Sequence, residues 1–113
     1  MIKIYHNPRC AKSRQALKIL EEKSVEHDVV KYMDGSLTAD ELKRLLDKLA
    51  MYPFELIRTN EQIWKNEFAD KEMDDDELIL TMIEFPQLMQ RPIIEDDDRA
   101  IVARPPELTN ELI

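Results

Sequence analysis

Residues 2–10 have the sequence Ile2-Lys3-Ile4-Tyr5-His6-Asn7-Pro8-Arg9-Cys10, and this stretch decides the fold that we predict. The β-branched and aromatic residues at its start are typical of a short strand, and the residues from His6 onward are typical of a turn. A helix is predicted from Ala11 to about Lys23, because the apolar residues between 16 and 20 fall on one side. His27 to Tyr32 is predicted as a second strand. Strand, helix and strand then form a βαβ unit with parallel strands and a right-handed crossover.

Helical patterns fill the middle of the chain. Thr38 and Glu41 have the spacing of a capping box, and the leucines that follow recur at helical spacing. Further helical segments are predicted at Pro53, over Glu61 to Phe68 and over Asp74 to Glu84. We interpret residues 38–88 or so as a helical insertion.

The last part of the chain predicts two more strands. Ile93-Ile94 and the segment from Ala100 to Ala103 are expected to pair as an antiparallel hairpin across a polar turn. Pro105-Pro106 then opens a final helix, because proline is tolerated in a first helical turn. The whole pattern predicts an α/β fold in which a four-stranded mixed sheet is flanked by helices, which is the thioredoxin-like layout.

Composition limits the classes of protein that fit. The chain has 113 residues, so we expect a single domain over residues 1–113. Its net charge of −8 argues against a general nucleic-acid binder. We find no signal-peptide pattern and no apolar run near the roughly 20 residues of a membrane helix. The lone cysteine excludes an internal disulfide, and together these features point to a reducing cytoplasm and to a protein without a membrane partner. We also expect a monomer.

Cys10 is the candidate nucleophile. It lies where the first strand passes into a helix, and the free N–H groups and dipole of a helix start favour a thiolate over a thiol. Ser13 follows three residues later, so that its hydroxyl could donate a hydrogen bond to the sulfur, and His6 could orient that hydroxyl. The alternative interpretations are that Cys10 is a small buried hydrophobic residue and that His6 only bonds the loop backbone.

Two other kinds of site are disfavoured. One cysteine and two separated histidines, His6 and His27, do not assemble a metal site, and we predict none. The acidic stretches at 70–77 and 95–98 are compatible with metal or docking sites, but a helix N-terminus and a solvated turn explain them better.

The run from Tyr5 to Arg14 resembles the active-site segment of the ArsC family of arsenate reductases. Three later segments are similar to family segments in the same order and at matching separations, so that the resemblance covers nearly the whole chain. They are residues 56–60, with Arg58; 91–94, with Arg91-Pro92; and 103–107, with Arg104-Pro105.

The resemblance implies a role for each matching residue. Cys10 would attack the arsenic of arsenate, with His6 and Ser13 supporting the thiolate. Three arginines would bind the oxyanion, namely Arg58, Arg91 and Arg104. Guanidinium groups stay charged and have a planar fork suited to oxyanions, so they would offset the repulsion from the net negative charge.

The resemblance also implies how the cycle is completed. Glutathione would be a co-substrate that reduces the arsenic adduct, glutaredoxin would release the protein, arsenite would be the product, and no cofactor would stay bound. A cis peptide bond is expected at Arg91-Pro92, as thioredoxin-like folds commonly have there. Two alternatives remain: a glutathione-linked thiol protein without arsenate activity, and a regulator resembling Spx, which shares the fold and binds RNA polymerase. The three candidate oxyanion arginines favour the enzyme.

Overall fold

A four-stranded sheet lies at the centre of the computed structural model, which describes all residues from Met1 to Ile113. The strands have the spatial order β2-β1-β3-β4. Their bounds are β1 (Ile2–Tyr5), β2 (His27–Val30), β3 (Ile93–Glu95) and β4 (Ala100–Val102). β1 pairs parallel with β2 and antiparallel with β3, and β3 pairs antiparallel with β4. The predicted four-stranded mixed sheet of the thioredoxin-like layout is thereby confirmed.

Helix α1 (Ala11–Glu22) connects β1 to β2, as the βαβ prediction requires. The strand β2 ends at Val30, two residues earlier than predicted, because Tyr32–Asp34 forms a 3₁₀ turn. This turn closes at Gly35, which has a left-handed conformation with a φ of 82°.

The peptide bond between Arg91 and Pro92 is cis, as predicted, and the Arg104–Pro105 bond is cis as well.

The two faces of the sheet bury separate apolar clusters. Ile4 and Ile94 alternate with their strand neighbours and pack on one face against Ala16 and Leu20 of α1, all with no exposed surface. The other face is covered by the helical segment between β2 and β3, which supplies most of the larger cluster. Its two α-helices are α2 (Ala39–Leu49) and α3 (Asp75–Glu84).

Two of the predicted helices have a different geometry from the one expected. The segment predicted as a helix over 61–68 is a π-helix at Trp64–Phe68, in which the N–H of Ala69 bonds the carbonyl of Trp64 at 2.9 Å. The final helix is a 3₁₀-helix at Pro106–Glu111 rather than an α-helix. Its N–H groups bond carbonyls three residues back because the segment is short, and short pieces favour this tighter winding.

A buried polar contact ties α2 to the sheet. The Tyr5 hydroxyl donates to Oε1 of Glu95 at 2.7 Å, and Nζ of Lys48 in α2 lies 2.8 Å from Oε2 of the same carboxylate. Burial, and then the hydrogen bond to Glu95, raise the pKa of Tyr5, so that it stays a donor. These contacts hold α2 against Glu95, the last residue of β3. None of the helices is long and apolar enough to span a membrane.

We expect the substitution Thr38→Ala to lower the free energy of unfolding by about 1 kcal/mol. Thr38 Oγ1 accepts from the N–H of Glu41 at 3.1 Å, and Glu41 Oε1 accepts from the N–H of Thr38 at 2.9 Å, which confirms the predicted capping box. Urea unfolding measures the loss. Thr59→Ala is the matched control, because Thr59 is exposed and caps no helix. Equal midpoints for the two variants would contradict the role of the capping box.

Candidate active site

Cys10 is the N-cap residue of α1 and ends the loop that leaves β1. Its N–H bonds the carbonyl of Asn7, and its own carbonyl accepts from the N–H of Arg14, both at 3.0 Å. The side chain makes no capping hydrogen bond and is partly exposed. The sulfur therefore lies beside the unpaired N–H groups of the first helical turn, where negative charge is favoured.

The hydroxyl of Ser13 holds the loop rather than the sulfur. Ser13 Oγ accepts from the N–H of Asn7 at 3.0 Å and lies 2.6 Å from Nδ1 of His6, and all three residues are buried. The expected hydrogen bond from this hydroxyl to the sulfur is not formed, because the hydroxyl is already committed to the loop. Burial, and then the charge of Arg14, lower the pKa of His6, so that its ring is neutral at pH 7.

The pKa of the Cys10 thiol is lower than its ordinary value. Burial alone would raise this pKa, but the backbone N–H of Ser13, the Arg91 guanidinium and the backbone N–H of Lys12 together outweigh it. Ser13 thus supports the thiolate through its main chain, as position N3 of a helix allows. The thiolate is the nucleophilic form of cysteine, so this environment activates Cys10.

Arg91 and Arg104 meet at the sulfur although they are far from Cys10 in sequence. Arg104 Nη1 lies 4.0 Å from Sγ of Cys10 and donates to the carbonyl of Arg91 at 3.1 Å. Arg91 is held in turn by its own hydrogen bond from Nη1 to the carbonyl of Gln87 at 3.0 Å. Each guanidinium keeps further N–H groups available, as an oxyanion site requires.

Arg58 is positioned by a main-chain hydrogen bond to the segment that precedes Arg91. Its N–H bonds the carbonyl of Leu88 at 2.7 Å, which fixes the main chain beside the turn that precedes Arg91. Its guanidinium is largely buried and lies 3.5 Å from Oε2 of Glu61. No group of three or more His, Cys, Asp or Glu side chains is arranged to hold a metal ion.

Buried polar atoms without a hydrogen-bond partner concentrate at this site. Four side-chain atoms in the protein are in this state, and they are Tyr32 Oη, Arg58 Nε, Arg91 Nε and Thr109 Oγ1. Unpaired buried donors carry a cost, and an anion that accepts from them would remove it.

Tyr32 was not among the site residues predicted from the sequence, where it stood only at the end of a predicted strand. The available signal was topological: β1 and β2 are parallel, so the residues that follow each of them meet at one edge of the sheet. The N–H of His6 bonds the carbonyl of Val30, which places Tyr32 next to the cysteine loop.

We expect Arg91→Gln to raise the pKa of the Cys10 thiol, because it removes the positive charge and the N–H groups that stabilise the thiolate. The pH dependence of Cys10 alkylation by iodoacetamide measures this shift. Arg44→Gln, in exposed α2 surface, removes the same charge elsewhere and is the control. Coincident pH profiles for the two variants would show that Arg91 does not act on the sulfur.

Comparison with known proteins identifies the family of this chain. A sequence model described as the ArsC family matches residues 5–112. The chain is 41% identical to "Uncharacterized protein YfgD" of Escherichia coli K12, covering 99% of this chain and 96% of that protein. It is 39% identical to an arsenate reductase of Neisseria meningitidis serogroup A, covering 94% and 92%. The solved structure of an arsenate reductase from Vibrio cholerae superposes with a TM-score of 0.92 at 37% identity, covering 99% and 97%. The chain belongs to the ArsC family.

Proposed function

We propose that the protein reduces arsenate to arsenite, with Cys10 as the nucleophile. One observation carries this proposal: a thiol whose pKa is lowered lies against two guanidinium groups, in a chain whose net charge is −8. Such a cluster attracts a small oxyanion that the rest of the surface repels. The arsenate reductases among its relatives support arsenate as that oxyanion.

The proposed reaction begins when the Cys10 thiolate attacks the arsenic atom. A sulfur–arsenic bond forms, and one arsenate oxygen leaves as water after protonation. Arg58, Arg91 and Arg104 bind the remaining oxygens and neutralise the charge that builds on them. His6 and the Ser13 hydroxyl keep the loop in the geometry that presents the sulfur.

External thiols complete the proposed cycle, because the chain has no second cysteine. Glutathione attacks the Cys10 sulfur of the adduct, a disulfide forms between Cys10 and glutathione, and the electron pair of the broken sulfur–arsenic bond goes to arsenic, which leaves as arsenite. Glutaredoxin, with a second glutathione, then reduces this mixed disulfide and returns Cys10 to its thiol. In total, two glutathione thiols are oxidised to one disulfide for each arsenate reduced. We further propose that residues 1–113 act as one domain, as a monomer without a bound cofactor, in a reducing compartment such as the cytoplasm.

We expect arsenate to drive the oxidation of NADPH in an assay that contains glutathione, glutathione reductase and glutaredoxin, and expect Cys10→Ser to abolish it. A serine hydroxyl remains protonated at neutral pH and is a far weaker nucleophile. Omitting glutathione or glutaredoxin one at a time tests the coupling separately from the reduction. The circular dichroism spectrum of the variant controls for folding.

If arsenate does not drive NADPH oxidation, two further measurements separate the other candidate functions. A folded protein that forms a mixed disulfide with glutathione at Cys10, but never consumes arsenate, would be a glutathione-linked thiol protein instead. Stoichiometric capture of RNA polymerase by a protein without turnover would indicate the regulator.

We expect Arg104→Gln to lower kcat/KM for arsenate by about 10- to 100-fold. A hydrogen bond to a charged partner contributes about 1.5–3 kcal/mol, and each 1.4 kcal/mol corresponds to about a factor of ten. Arg104 is exposed, so the exchange is not expected to disturb the core. Arg44→Gln is again the control for loss of one positive charge. An unchanged kcat/KM would remove Arg104 from the oxyanion site.

A further inference from the structure

Tyr32 stands out among the tyrosines because its hydroxyl is buried and has no partner. The residue is 1% exposed, and its Oη makes no hydrogen bond. The other buried tyrosine, Tyr5, is 6% exposed and donates to Glu95 at 2.7 Å. Buried polar groups in folded proteins nearly always have a partner, so an unpaired hydroxyl calls for an explanation.

The main chain places Tyr32 at the cysteine loop. Tyr5 pairs with Val30, and the N–H of His6 bonds the carbonyl of Val30 at 3.0 Å. Tyr32 then begins the 3₁₀ turn two residues later. The loop that carries Cys10 and the turn that carries Tyr32 thus leave the same edge of the sheet from neighbouring strands.

The charges that act on the Tyr32 hydroxyl come from the candidate active site. Burial raises the pKa of Tyr32 to about 12, while the charge of Arg91 lowers it, the charge of Cys10 raises it and the charge of Arg58 lowers it. No charged group outside the site has a comparable effect on this hydroxyl. It therefore stays protonated at neutral pH and is available as a donor.

Two other buried donors at the site also lack a hydrogen bond, and they are Nε of Arg58 and Nε of Arg91. All three are donors, and none makes a hydrogen bond within the protein, although Arg58 Nε lies 3.5 Å from the Glu61 carboxylate. A small anion with several oxygens could accept from such donors. We propose that the Tyr32 hydroxyl is a further ligand of the oxyanion and donates a hydrogen bond to an oxygen of arsenate at Cys10. This inference rests on the proposed function, since it assigns a residue to the same anion site.

The role predicts a preference among ligands. A phenol that stays protonated donates readily to an ionised oxygen and gains less from one that already carries a proton. Tyr32 would therefore favour tetrahedral anions with several ionised oxygens, such as arsenate and inorganic phosphate.

The test uses the full chain and a readout that does not require turnover. Cys10 is alkylated with iodoacetamide in the absence of glutathione, and increasing concentrations of arsenate, or of inorganic phosphate in a parallel series, protect it. We expect Tyr32→Phe to raise the half-protecting concentration of both anions by about 10-fold or more, as the loss of a hydrogen bond to a charged ligand predicts. Phosphate is not reduced by thiols, so its series reports binding alone.

Thermal unfolding separates a ligand from a structural residue. The Tyr32 hydroxyl has no partner in the protein, so Tyr32→Phe is expected to leave Tm unchanged or to raise it. Tyr5→Phe is the matched control, because it removes a buried hydroxyl that does have a partner. We expect that control to lower Tm while the half-protecting concentrations stay as in the wild type.

Three results of the protection and unfolding measurements would overturn the role of Tyr32. Equal protection of wild type and Tyr32→Phe would overturn the role of Tyr32 and leave the proposed function intact. A loss of Tm in Tyr32→Phe as large as that in Tyr5→Phe would show a structural role instead, and would also overturn the inference. Absence of anion protection in the wild type would remove the anion site itself, and with it both proposals.

Discussion

The pairing of β1 on both of its edges is the constraint on which the rest of the structure depends. Each residue from Lys3 to Tyr5 has a partner in β2 and another in β3, so the end of this strand cannot move without breaking two ladders. Ile4, at the centre, has no exposed surface. The loop from His6 to Cys10 begins at this fixed point and ends at a fixed helix start. The sulfur is therefore positioned by a strand that is held on both edges, and rigid elements hold a reactive group more precisely than mobile loops do.

The same strand pairing explains how distant arginines reach one sulfur. Arg91 immediately precedes Pro92 and β3, while Arg104 follows β4 closely, and the antiparallel pairing of β3 with β4 brings these two positions together. The hydrogen bond from Arg104 to the carbonyl of Arg91 then links them directly. Positive charge is thus concentrated at one sheet edge in an acidic protein. Part of the stability of the fold is given up there, because buried donors make no hydrogen bond within the protein.

The sequence predicted those features that depend on local patterns, and several that depend on the resemblance. The sheet, the capping box at Thr38 and the cis bond at Arg91-Pro92 are confirmed, because turn chemistry, helix periodicity and a family pattern each specify them. The hydroxyl of Ser13 was assigned to the sulfur, since spacing shows that two groups are near but not which atom each one faces. Tyr32 was missed because it is an ordinary apolar-aromatic strand residue in sequence, and only the folded chain shows its hydroxyl unpaired.

The partial exposure of the site is explained if external thiols complete the cycle. Enclosing an oxyanion among guanidinium groups strengthens their attraction, because water no longer screens the charges. Complete enclosure would also exclude a second thiol, and above all one carried by another protein. Tyr32 is buried, Arg58, Arg91 and Cys10 are partly exposed, and Arg104 is exposed. Exposure thus increases from Tyr32 to Arg104, so the proposed anion would contact the protein on one side while the sulfur could still be reached by an external thiol, as the single cysteine of the chain requires under the proposed cycle.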